Sequence, residues 1–183
     1  NSPDLLAAQL GVMAAGGVAA SMDPGQLVRT MRQSFSLLPQ RFCLIGDDSQ
    51  QTAAEFAGLG DIELLVHKDP LPRPAGGTSL TLAELEAKGR AYTGALPAPD
   101  PDAVAMAAFT MGCTGTPLPV GLSQAALLAA GRGLAAALDL RAGQSYLSLS
   151  HLSSSWTMQE FIACLGSGAD FALAGWFPGL NAL

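Results

Sequence analysis

Leu5, Leu6, Leu10 and Met13 recur at the spacing of one helix face, and Gly16-Gly17 stops the pattern. Ser2 or Asp4 can cap the start of that helix. Val18 to Met22 is a short unbroken apolar run of strand length. After Asp23-Pro24 the helical spacing returns at Leu27, Val28, Met31 and Phe35. "RFCLIG" (41–46) reads as a buried strand, a short helix follows around Thr52 to Phe56, and "IELLV" (62–66) is a further strand.

The alternation continues after a loop. Lys68 to Thr78 holds three prolines and two glycines and cannot be regular structure. "SLTLAELEAK" (79–88) reads as a short capped helix, and Tyr92 to Asp102 as a Pro/Ala linker. Strands are predicted at 103–109, 145–149 and 170–174, and helices at 123–138 and 156–165. Strands alternating with helices predict an α/β fold: a mostly parallel sheet with helices on both faces. The linker predicts a sub-lobe boundary near 93–102 within one partial domain, 1–183.

Composition narrows the partners. Hydrophobic residues make up 49% of the chain and charged residues 13%, which is apolar for a free-standing domain. Part of the surface is therefore expected to face the rest of a larger parent chain or a protein partner. With a net charge of −6 and no basic stripe, nucleic-acid binding is not expected. The apolar runs break before about 18 residues, so no transmembrane segment is predicted. The chain begins "NSPDLLAAQLG", without the basic start and small-residue cleavage site of a signal peptide. Cys43, Cys113 and Cys164 have neither disulfide nor metal spacing and read as small buried residues in a reducing, cytoplasmic setting.

The candidate chemistry lies in "FTMGCTGTPLPVGLS" (109–123), read as a loop between a strand and a helix. Gly112 and Gly115 let the backbone approach a ligand closely. Thr110, Thr114 and Thr116 offer hydroxyls, and N–H groups in such a turn converge on an anion. A helix N-terminus directly after it would add partial positive charge. The loop carries no lysine or arginine and is not a Walker loop.

"AFTMGCTGTPLPVGLSQAALLAA" resembles the phosphate loop of adenylate-forming enzymes, the acyl-CoA synthetase and nonribosomal adenylation superfamily. Phe109, Thr110, Gly112, Thr114, Gly115, Pro117, Val120 and Ser123 match or nearly match in order the pattern Tyr-Thr-Ser-Gly-Thr-Thr-Gly-x-Pro-Lys-Gly-Val-x-x-Ser-His. "NSPDLLAAQLGVMAAGGVAASMDP" resembles the family's upstream block. "QSYLSLSHLSSSWTMQEFIACLGSGADFALA" resembles a segment of long-chain acyl-CoA synthetases. The likeness covers about residues 1–175 and falls on the middle of the large N-terminal domain.

The resemblance implies activation of a carboxylic (fatty) acid with ATP and Mg²⁺ to an acyl-adenylate, then transfer to a thiol such as coenzyme A. It implies cofactor contacts at Thr110, Gly112, Thr114, Gly115, Thr116 and Ser123, and a substrate-orienting role for His151. Among the departures from the pattern, Leu118 replaces the lysine, Pro119 the glycine, Gln124 the histidine and Met111 a Ser/Thr. The segment is therefore expected to be degenerate and catalytically incompetent as it stands. The alternatives are a non-catalytic docking module within a larger assembly, or an unrelated flavodoxin-like module whose three matching blocks are coincidence. Trp156 and Phe161 read as acyl-pocket or core residues, His67 as solvent-facing, and Asp47-Asp48 as a strand-end turn rather than a metal pair.

Overall fold

A computed structural model describes residues 1–22, 33, 36–38, 41–45, 62–70, 73–74, 76–110 and 117–174. The elements in chain order are α1 (Pro3–Ala14), β1 (Ala19–Ala20), β2 (Phe42–Ile45), β3 (Leu64–His67), β4 (Thr78–Thr81), α2 (Leu82–Arg90), β5 (Val104–Phe109), β6 (Pro119–Ser123), α3 (Gln124–Ala137), β7 (Ser145–Ser148), α4 (Ser155–Ser167) and β8 (Asp170–Leu173). They fall into two units. One comprises Asn1–Asp23, Pro97–Thr110 and Pro119–Leu183; the other comprises Pro24–Leu96 and Met111–Leu118. The expected helices over 27–35 and 52–56, and Asp47-Asp48, lie largely or wholly outside the described residues, though Gln33, Ser36 and Leu37 are helical.

In the first unit β1 pairs parallel with β5, and β5 pairs antiparallel with β6. β7 and β8 form a parallel pair joined through α4, a βαβ crossover. The core is Ala105, Met106, Leu127 and Met158, with Leu6, Leu10 and Met13 of α1 and Phe161 and Ile162 of α4 packed on it. Burying Met106, Leu127 and Met158 stabilises by about 1.5–3 kcal/mol each. α1 begins where its sequence directs: Ser2 accepts from the Leu5 N–H at 3.2 Å, Pro3 follows, and Asp4 lies in the first turn. Gly16, at φ +77°, takes the left-handed conformation that ends the helix.

The second unit holds a parallel sheet in the order β2-β3-β4, with α2 packed on β3 and β4. Leu65 and Val66 in the middle strand are buried, as in a strand covered on both faces. The mixed α/β class and the mostly parallel pairing match the sequence expectation.

Three local expectations are corrected. Thr78–Thr81 is a strand, not the first turn of a helix; the helix begins at Leu82, after a capping box in which Thr81 and Glu84 exchange side-chain and backbone hydrogen bonds. His67 is not solvent-facing. It is the last residue of β3, beside Ile45 and Thr81, and only 1% exposed; its Nδ1 accepts from the Asp69 N–H at 2.9 Å. Finally, β6 stands between residues 111–116 and α3, so the glycine-rich stretch does not lead straight into a helix.

Candidate functional site

Ligands of open α/β sheets sit outside the carboxyl ends of parallel strands. In the first unit those ends are Ala20 of β1, Phe109 of β5, Ser148 of β7 and Leu173 of β8. Thr110 follows β5 and is exposed; His151 lies three residues past β7 and is half-buried. The topology therefore puts both expected site residues just past carboxyl strand ends of one unit. Gly112, Thr114, Gly115 and Thr116 lie outside the described residues.

Ser123 is placed differently. It pairs with Val104 at the start of β5, whereas Pro119 pairs with Phe109 at its end. Four steps of extended chain, about 13 Å, separate Pro119 from Ser123. The Ser123 hydroxyl accepts from the Ala126 N–H at 3.2 Å and caps α3. The N-terminus of α3 is thus at the far end of β6 from Pro119, and the expected helix-dipole contribution directly after the loop is corrected. Leu118, at the exit of that loop, is 58% exposed and uncharged. Pro119 brings no N–H.

The backbone around His151 is held from several sides. The His151 carbonyl accepts from Thr157 Oγ1 at 2.6 Å and from the Ser154 N–H at 2.9 Å. Asn1 Nδ2 donates to the carbonyls of Ser150 (3.0 Å) and Ala174 (2.9 Å), and Asn1 Oδ1 accepts from the Leu152 N–H at 2.8 Å. Gln9 Nε2 donates to the Leu152 carbonyl at 2.9 Å and to Ser21 Oγ. The loop leading into α4 is thereby fixed in the backbone on both sides of the imidazole.

Beneath this loop is a group that sequence reasoning missed. Glu160 of α4 is 4% exposed; its carboxylate accepts from Tyr146 Oη at 2.8 Å and Ser148 Oγ at 2.5 Å. A buried carboxylate needs such donors on both oxygens. Burial pushes the Tyr146 phenol up to about 12, and the Glu160 hydrogen bond and charge add to it. Burial, with the Glu160 charge second, also raises Cys164 one turn on. The available signal was a lone glutamate in an otherwise apolar helix, "SWTMQEFIACL". Phe161 joins the core and meets Phe171 edge-on at 5.6 Å, while Trp156 is half-exposed. Among the described residues no group of three His, Cys, Asp or Glu could hold a metal ion, and no helix is long and apolar enough to cross a membrane.

These features define part of an α/β domain. The chain belongs to the AMP-binding enzyme family, whose model matches residues 1–181. A search of curated protein sequences gives no match. Among solved structures it is similar to apo MbtA of Mycobacterium smegmatis, with a TM-score of 0.78 and 19% identity over 100% of this chain and 34% of that one. VinN in complex with L-aspartate gives a TM-score of 0.74 and 18% identity over 95% and 42%. The Klebsiella oxytoca NpsA N-terminal subdomain with 3-hydroxybenzoyl-AMSN gives 0.66 and 22% over 99% and 41%. The fold is that of the N-terminal domain of adenylate-forming enzymes, and the chain spans less than half the length of these structures.

The family uses ATP and Mg²⁺. Of the described flanks of the glycine-rich stretch, Thr110 carries a hydroxyl, Leu118 no charge and Pro119 no backbone N–H.

Proposed function

We propose that this chain is the loop-bearing part of an acyl-CoA synthetase-like enzyme whose phosphate grip is degenerate, so that the segment holds triphosphate poorly and forms no acyl-adenylate by itself. The exposed aliphatic side chain of Leu118 at the loop exit carries this reading. Phosphoryl transfer rests on positioning and charge neutralisation, and a leucine neutralises nothing. The wider reaction is that of the family: a carboxylic acid and ATP give an acyl-adenylate and pyrophosphate, and the acyl group then passes to a thiol such as coenzyme A. Within it, Thr110, Gly112, Thr114, Gly115 and Thr116 are the proposed nucleotide-side residues, while Ser123, expected among them, caps α3 at the far end of β6. His151 orients the substrate carboxylate. The passage between units at Leu96–Pro97 supports a lobe boundary within 93–102.

A fatty acid as substrate rests on the likeness of the 144–174 block to long-chain synthetases. A cytoplasmic setting rests on cysteine usage. A second reading, a non-catalytic docking module in a larger assembly, is favoured by the same Leu118 and Pro119, and by outward Leu147 and Leu149, at 60% and 67% exposure. Calorimetry with ATP–Mg²⁺ and with AMP, beside a pyrophosphate-release assay with a panel of fatty acids, tests the proposal. Absence of submillimolar ATP–Mg²⁺ binding and of pyrophosphate is the expected result; either one appearing refutes the degenerate grip.

A further inference from the structure

We propose that Gln9 and Asn1 are positioning residues that hold the His151 loop in register with the ends of β1 and β8. The inference rests on the reading of His151 as a site residue, and it concerns how the loop keeps its place. α1 otherwise turns apolar side chains, Leu6, Leu10 and Met13, into the core. Gln9 stands among them at 4% exposure. Its Nε2 ties the Leu152 carbonyl to the Ser21 hydroxyl, just past β1, while its Oε1 is buried without a partner among the described residues. A leucine at position 9 would bury without that unmet acceptor. The amide is useful here only for what its N–H groups join.

Asn1 completes the brace. One primary amide spans both sides of His151, accepting from the Leu152 N–H and donating to the Ser150 carbonyl, and its second N–H reaches Ala174 past β8. Three strand ends, those of β1, β7 and β8, are thereby linked through two side chains of the amino-terminal segment. An imidazole on an untied loop would sample several placements; on this one its Cα is fixed by backbone bonds to the residues before and after it. Positioning within about half an ångström is what a substrate-orienting group needs.

The test uses the 183-residue chain, with Gln9→Leu and Asn1→Asp. The second variant keeps the acceptor for Leu152 but loses both donors. Amide hydrogen exchange should accelerate at least tenfold at Leu152 in Gln9→Leu, with the amides of Met106 and Leu127 unchanged. The His151 ring Cε1–H resonance should be single in the unaltered chain and should split or broaden in both variants. Unchanged exchange at Leu152 together with a single His151 signal overturns the proposal. If Gln9→Leu fails to fold, Asn1→Asp decides by the His151 signal alone, since its carboxylate still accepts from the Leu152 N–H: a single, unbroadened signal then overturns the proposal. A separate titration of the parent chain with decanoyl-sulfamoyl adenosine probes the role of His151: a ring signal that never moves defeats that reading alone, and the brace is still judged by exchange.

Discussion

Two glycines of α3, separated only by Arg132, should respond to alanine in opposite directions. A Cβ on Gly131 would lie 2.5 Å from Ile162 Cγ2, 2.9 Å from Ile162 Cβ and 3.2 Å from the Ala163 nitrogen. Carbon pairs rest at about 3.5–4.0 Å, so α4 must retreat by about an ångström or the Ile162 rotamer must strain. Overpacking of this kind costs about 1–3 kcal/mol. Alanine returns about 1 kcal/mol through helix propensity, so Gly131→Ala should be destabilised by about 1 kcal/mol. A Cβ on Gly133 meets nothing within 4 Å, so Gly133→Ala should gain about 1 kcal/mol. Urea unfolding followed by far-ultraviolet circular dichroism measures both midpoints on one scale. Gly131→Ala should cost less in an Ile162→Ala background than in the unaltered chain, giving a non-additive cycle. If Gly131→Ala is as stabilising as Gly133→Ala, the close approach of α3 and α4 at this point is wrong.

Two further outcomes are expected. Burial pushes Tyr146 up to about 12 and Cys43 up to about 12, from ordinary values near 10 and 9. A raised folded value means the folded state holds the proton more tightly. The contribution is then complete below about pH 9 and is lost as pH climbs to about 12; urea midpoints taken between pH 8 and 11 should fall, and Tyr146→Phe should flatten part of that slope. Leu118→Lys should raise ATP–Mg²⁺ affinity at least tenfold, since a charge-assisted contact contributes about 1.5–3 kcal/mol, while AMP affinity stays within about twofold; equal, unchanged affinities for both ligands would count against the loop-exit argument.

Much of the fold could be read from the chain because the deciding signals are local. Ser2-Pro3-Asp4 announces α1, and "AVAMAAF" announces β5 with its buried Ala105, Met106 and Ala107. β6 could not be read that way. Pro119 and Gly121 look like loop chemistry, yet proline is tolerated as the first residue of an outer strand, where no ladder N–H is required of it. β4 was hidden because Thr81 serves at once as the last strand residue and the N-cap of α2. The environment of Glu160 is long-range: its donors come from β7, 12 and 14 residues away, and only the packing of α4 on that strand brings them together. His67 was misread for the same reason, since its burial depends on neighbours in β2 and β4.

The same distinction bears on how the candidate site could lose one capability and keep another. A phosphate grip made of a glycine-rich turn and one cation depends on a few adjacent residues, so a single change such as lysine to leucine removes most of its charge without disturbing the strands that flank it. The His151 loop is built in the opposite way. Its backbone bonds come from Asn1, Gln9, Ser154 and Thr157, which are spread over more than 150 positions of the chain. No one substitution among residues 110–118 removes those bonds. Triphosphate binding and placement of the His151 backbone should therefore vary independently in this chain: Leu118→Lys should alter the first and leave Leu152 amide exchange unchanged, whereas Gln9→Leu should do the reverse.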